Sequence, residues 1–170
     1  EIIREKAETF EVVVVHPEEI DGKNLEGVNL NSVEAFACAQ IINKINKGFD
    51  KIKVILDCPS TNLEKWKDFL KTKINNLSNL EVVCEHKADV NHVSVSAASI
   101  LAKSTREKEM SKLREKYGNE IGSGYSSDSL TARFLEKNIR KYGQDGIFRK
   151  SWATWKTAAG KQEQKKLEEF

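Results

Sequence analysis

Ile52-Lys-Val-Ile-Leu-Asp57-Cys-Pro59 and Leu80-Glu-Val-Val-Cys84 are two short apolar runs, with Asn62 to Ile74 between them. Runs of this length and β-branched content read as buried strands over Ile52–Leu56 and Leu80–Cys84. Asn62 is a helix cap, and Trp66, Phe69, Leu70 and Ile74 follow it at helical spacing. A strand, a crossover helix and a second strand predict two parallel neighbours. Asp57 ends the first strand and Asp89 follows the second, so both carboxylates are expected at the carboxyl edge of the sheet. Open α/β sheets place their ligand sites at that edge.

The same alternation extends outward from this unit. Glu1 to Thr9 reads as the last turns of a helix, and Phe10 to Val15 as a buried strand ended by His16-Pro17. Asn31 to Asn46 carries Val33, Phe36, Ala37, Ile41, Ile42 and Ile45 on one helical stripe, closed by the turn residues Gly48 and Asp50. Ser94 or Ser96 opens a long helix that runs to about Tyr117. Beyond Gly118 the pattern is helical only, over Leu130–Tyr142 and about Ala153–Phe170. The charged segment Lys161–Phe170 is expected to fray or extend. The expected fold is α/β, a largely parallel sheet covered by helices and followed by an all-helical part. There is no internal repeat or low-complexity linker, and the whole reads as one domain.

A chain of 170 residues with 39% hydrophobic and 32% charged residues can bury a sizeable core. No apolar run approaches the roughly 18 to 20 residues that span a bilayer, which argues against a membrane location. Glu1 to Phe10 is charged and lacks the apolar stretch of a signal peptide. The three cysteines, Cys38, Cys58 and Cys84, are widely spaced and form no metal-ligand pattern. Reduced thiols and a cytoplasmic setting are expected. A net charge of +2 does not by itself point to nucleic acid. The sequence opens on Glu1 and has one methionine, Met110, so it is expected to begin inside a longer chain.

Four groups of residues could carry chemistry. Asp57 and Asp89 offer hard oxygen donors suited to Mg²⁺ or Mn²⁺; read blandly, one is a turn residue before Pro59 and the other precedes a helix. Ser96, Ser99 and Lys103 share a helix face, and Lys103 and Arg106 could meet a phosphate backbone; read blandly, this is an N-cap followed by a solvated basic face. Gly122-Ser-Gly-Tyr125 is a flexible turn whose backbone N–H groups could converge on an anion, with a flat ring for a sugar or base. Arg149-Lys150-Ser-Trp152 sets two cations beside an aromatic residue, while Trp152 and Trp155 themselves read as core. His86 and His92 read as loop residues, with His86 near the site. No nucleophile elbow, phosphate-binding P-loop or dinucleotide fingerprint is present.

Taken in order, Val54-Ile-Leu-Asp57-Cys-Pro-Ser-Thr61, His86-Lys-Ala-Asp89, Ser96-Ala-Ala-Ser-Ile-Leu-Ala-Lys103 with Thr105-Arg106, Gly122-Ser-Gly-Tyr125 with Asp128, and Arg149-Lys-Ser-Trp152 resemble type 2 ribonuclease H, the ribonuclease HII family of archaeal and eukaryotic kind. The resemblance implies a ribonuclease-H-like sheet with its first strands missing. Residues 1–117 would be the C-terminal portion of a catalytic core and 118–170 a helical extension. It implies hydrolysis of RNA in RNA–DNA hybrids and incision at ribonucleotides in duplex DNA, with two divalent ions, Mg²⁺ or Mn²⁺, held by four carboxylates. Asp57 and Asp89 match two of the four as metal ligands and catalytic residues. The other two lie in an Asp-Glu-Ala-Gly-Arg-Gly motif that this sequence lacks, so the chain alone is expected to be inactive or weak. Tyr125 matches the family tyrosine that packs on the sugar at the RNA–DNA junction. Lys87, Ser96, Lys103, Arg106, Gly124, Arg149 and Lys150 are the further nucleic-acid contacts implied. Ser126 stands where the family usually has proline, and Ser94 where an apolar residue is usual. A sliding-clamp protein is a candidate partner, and the intact protein is expected to be a monomer. The alternative is a split enzyme or a degenerate binder that needs a separate N-terminal piece to cleave.

Overall fold

The computed structural model describes residues 2–48 and 50–168, and these gather into two compact units. One comprises residues 1–14 and 28–104; the other comprises residues 15–27 and 105–170.

In the first unit, β1 (Ile52–Asp57) and β2 (Leu80–Glu85) pair in parallel, in register from Ile52 opposite Leu80 to Asp57 opposite Glu85. The crossover between them is α4 (Leu63–Lys71), capped by Asn62, whose side chain accepts the Lys65 N–H at 3.0 Å. α3 (Leu30–Ile45) starts in the same way: Asn29 accepts the Ser32 N–H at 3.0 Å. Asparagine at these positions satisfies an N–H that the first turn cannot pair internally. Ala35, Ala39 and Ile42 of α3 meet Cys58, Trp66, Leu70 and Ile74 in one core cluster, with Val54, Leu56, Leu80, Val82 and Cys84 packed against it. Leu70 is wholly buried, and the Trp66 indole donates to the Asn31 carbonyl at 2.8 Å. The cysteines are free thiols, and burial pushes Cys38 and Cys84 up to about 11.

The expected strand at Phe10–Val15 is not formed. After α1 (Ile2–Lys6) the chain runs without strand pairing up to Pro17. β propensity becomes a strand only where a neighbour completes the ladder, and among the described residues β1 and β2 pair only with one another. Glu1, the first residue of the expected N-terminal helix, lies outside the described residues.

The second unit holds α2 (Pro17–Leu25), which Pro17 opens at a position where a missing N–H costs nothing. α6 (Val93–Tyr117) starts in the first unit and ends in the second. A short 3₁₀ turn over Asn119–Ile121, α7 (Ser129–Tyr142) and α8 (Ala153–Glu168) complete it. Glu169 and Phe170, the end of the expected last helix, lie outside the described residues. Met110, Ile121 and Phe134 form one core cluster, and Leu135, Ile139 and Ala158 a second, joined on its margin by Phe148 and Trp155. Among the described residues, no helix is long and apolar enough to cross a membrane.

Candidate functional site

Asp57 is the last residue of β1 and is exposed. Its Oδ1 accepts the Ala88 N–H at 3.4 Å. That bond ties the end of β1 to the turn after β2, one residue before Asp89. Asp89 precedes the long helix α6, as its spacing suggested, but is itself within a separate short helix, α5 (Ala88–Asn91), and is half-buried. Lys87 makes the turn into α5 in the left-handed conformation (φ 57°), the only non-glycine among the described residues to do so. Such a backbone costs an L residue on the order of 1 kcal/mol. Parallel pairing therefore brings Asp57 and the Asp89 turn to one sheet edge.

Sequence reasoning missed Glu85, which stands opposite Asp57 in the register. Its carboxylate is 3.0 Å from His92 Nε2, while His86 Nδ1 lies 3.2 Å from the Cys58 carbonyl. The available signal was a strand extended by one residue, which puts Glu85 beside Asp57. Ser96 sits half-buried in the first turns of α6, and Lys103 is exposed farther along the same helix.

The donor chemistry at this edge is that of a hard cation site, but the number is short. Among the described residues no group of three or more His, Cys, Asp or Glu is placed to hold a metal ion. Mg²⁺ takes six oxygen ligands and is held by one or two protein carboxylates with several waters, so two adjacent ions need more carboxylates than Asp57 and Asp89 supply. By themselves these residues do not fit a resident ion pair.

In the second unit the Gly122-Ser-Gly-Tyr125 turn is tightly bonded. Asp128 caps α7 through the Leu130 N–H (2.9 Å) and also accepts the Ser123 N–H and Oγ–H, both at 2.7 Å. Arg106 donates to the Ser123 carbonyl at 2.7 Å, and its guanidinium lies 3.9 Å from the centroid of the Tyr125 ring. Tyr125 is 56% exposed. Arg106, Gly124 and Tyr125 are thus assembled together.

The last block is pinned from α2. Asp21 accepts the Lys150 N–H (2.6 Å), the Ser151 N–H (3.0 Å) and the Ser151 Oγ–H (2.6 Å). Burial alone would push its carboxyl up; the Ser151 and Lys150 hydrogen bonds outweigh that and hold it below the usual value. The Arg149 guanidinium lies 4.5 Å from the Trp152 ring, and Lys150 Nζ donates to Gln144 at 3.0 Å. Trp155 packs against Phe148 as core, as expected, but Trp152 is 37% exposed under Arg149. Asp21 carries no motif of its own, and its role came only with the fold.

The family model for ribonuclease HII matches residues 1–155. The chain belongs to the ribonuclease HII family. It is 40% identical over 156 residues to the ribonuclease HII of Methanococcus maripaludis, covering 91% of this chain and 64% of that protein. The chain thus spans just under two thirds of the length of that relative. The crystal structure of the ribonuclease H2 from Pyrococcus horikoshii superposes with a TM-score of 0.74 at 33% identity, over 88% of this chain and 67% of that one. The ribonuclease HII in the PCNA complex from Archaeoglobus fulgidus gives a TM-score of 0.67 at 33% identity, over 81% of this chain and 63% of that one.

Proposed function

We propose that this chain carries part of the site of an endonuclease that hydrolyses RNA in RNA–DNA hybrids and incises duplex DNA at embedded ribonucleotides. The observation that carries the reading is the bond from Ala88 N–H to Asp57, which holds two carboxylate-bearing segments at one sheet edge, in a chain of the ribonuclease HII family. In that reading Asp57 and Asp89 are the catalytic carboxylates. Tyr125 packs on the sugar at the junction, where the 2′-hydroxyl distinguishes RNA from DNA. Lys87, Lys103, Arg106, Arg149 and Lys150 meet phosphates, with Ser96 and Gly124 beside them. Residues 1–117 are the C-terminal portion of the catalytic core and 118–170 its helical extension. The activity requires divalent ions, Mg²⁺ or Mn²⁺, whose remaining oxygen ligands come from outside the described residues. The PCNA complex formed by the Archaeoglobus fulgidus relative makes a sliding clamp a candidate partner.

The shortage of carboxylates favours a second form of the same reading, in which these residues bind the hybrid and cleave only with a complementary piece. The test is cleavage of a DNA duplex containing one ribonucleotide, in Mg²⁺ and then Mn²⁺. These 170 residues alone are expected to bind the duplex with little or no cleavage. Adding a polypeptide that carries an Asp-Glu pair should restore cleavage in a split enzyme and leave binding alone in a degenerate one. Robust cleavage by the chain alone, abolished by Asp57→Asn or Asp89→Asn, would overturn the claim that ligands are missing.

A further inference from the structure

The Gly122–Thr131 turn holds more hydrogen bonds than a loop needs simply to connect two helices, and they converge on one carboxylate. Asp128 Oδ2 receives the Ser123 N–H and Oγ–H at 2.7 Å each and lies 3.3 Å from Thr131 Oγ1, while Oδ1 takes the Leu130 N–H at 2.9 Å. Thr131 Oγ1 in turn accepts the Gly124 N–H at 2.9 Å. The backbone is shaped around the same group. Gly122 has φ +70°, and a Cβ there would stand 2.6 Å from Asp128 Oδ2 and 2.7 Å from Thr131 Oγ1. Gly124 has φ +77°, and a Cβ there would press to 3.0 Å on the sulfur of Met110, a buried residue of α6. The Ser123 bonds, followed by that from Leu130, hold the Asp128 carboxyl down at about 2.

From this anchor a chain of contacts leads outward. The carbonyl of Ser123, whose N–H and hydroxyl Asp128 holds, receives Arg106 Nη2 at 2.7 Å. The guanidinium so placed covers one face of Tyr125 at 3.9 Å, a cation–π geometry. A guanidinium has five N–H donors, and the Ser123 and Glu107 bonds use two of them. What the turn presents is a flat ring with one face covered and a forked cation beside it. A ring of this kind suits a sugar or base face, and the fork suits an adjacent phosphate.

Building on the nucleic-acid reading above, we propose that Asp128 is the positioning residue of this subsite. Through Ser123 it fixes the stack of Arg106 on Tyr125, so that ring and guanidinium take the sugar and the neighbouring phosphate of one nucleotide as a unit. Asp128 itself touches no substrate.

Charge makes the test sharp. Removing a negative charge from a nucleic-acid-binding surface should, by simple electrostatics, tighten binding. Positioning predicts the opposite. The measurement is fluorescence-anisotropy titration of the 170-residue chain with a labelled RNA–DNA hybrid at several salt concentrations, with circular dichroism of each variant. Tyr125→Ala is expected to weaken binding about tenfold, the scale of one lost stacking contact. Asp128→Asn should weaken it about threefold or more, and Ser123→Ala, which keeps the main-chain bonds and folds more safely, by a smaller factor. Arg106→Ala should lower the salt slope by about one phosphate contact, and Asp128→Asn should lower it too. In the Tyr125→Ala background, Asp128→Asn should add little further loss. Tighter binding by Asp128→Asn, or losses that multiply fully with Tyr125→Ala, overturns the inference while leaving the nucleic-acid reading intact. Equal binding by wild type, Tyr125→Ala and Arg106→Ala overturns that reading, and this inference with it.

Discussion

Asp57 at the sheet edge accepts a long 3.4 Å bond and stands exposed, whereas Asp128 in the Gly122–Thr131 turn receives three bonds of 2.7 to 2.9 Å. The two carboxylates belong to the same chain and differ in how far their oxygens are committed to neighbouring donors. A group that is to meet a ligand keeps its lone pairs for it; a group that is to hold a loop commits them to N–H and O–H donors nearby. The difference also separates what the chain completes by itself from what it does not. The turn's bonds all lie within residues 106 to 131, while among the described residues the sheet edge gathers no group of three or more metal-binding side chains.

The largest effect expected from this contrast is at the sheet edge. In an assembly that cleaves, Asp57→Asn or Asp89→Asn should lower the single-turnover rate on the order of 10³-fold, the several kcal/mol of an ion-supported transition state. For the exposed Asp57, urea unfolding should shift by less than about 0.5 kcal/mol. A large loss of stability in either variant would instead make these residues structural. Next comes the core on which β1 and β2 rest. Leu70→Ala should cost about 2–5 kcal/mol in urea unfolding, because Leu70 is wholly enclosed.

The turn should respond to acid. Asp128 has a lower pKa folded than unfolded, so its contribution is full above the ordinary value of 3.8 and is lost as pH falls toward about 2. The thermal midpoint of the wild type should therefore fall more steeply than that of Asp128→Asn between pH 4 and 2, and parallel curves would count against the network. The smallest effect is at the turn before α8. Asp21→Ala should cost about 1 kcal/mol for its partly exposed, charge-assisted bonds and should change the fluorescence of Trp152. An unchanged spectrum would mean that the Arg149–Trp152 stack holds without Asp21.

How much of this could be read in advance depended on whether the signal was local. β1, β2, α3 and α4 were legible because an asparagine cap or a short apolar run is decided within a few residues, and the parallel pairing followed from the crossover. The run Phe10–Val15 has the same composition as a strand, yet pairing is a property of two segments, and its partner is not visible in its own residues. Asp89 was legible as a carboxylate at the edge, but the helical turn that carries it depends on the left-handed Lys87, which a lysine does not advertise. Asp21 and Asp128 gave still less: each acts on donors, in one case 129 residues away, that no periodicity connects. Trp152 was misread because a tryptophan near two cations looks the same whether it is packed inward or lies beneath one of them.

Phe10–Val15 has a consequence of another kind. Six residues, five of them apolar and four of those valines, run without joining the sheet, with Phe10 39% and Val14 42% exposed. Glu11 is the one charge among them, and it is drawn aside to Lys44 at 2.6 Å. A segment of that composition is what cross-β assembly recruits. The concentration at which the protein stays dispersed in solution should therefore be set by these residues, which carry no chemistry of their own, and a lysine at Val12 or Val14 should raise it.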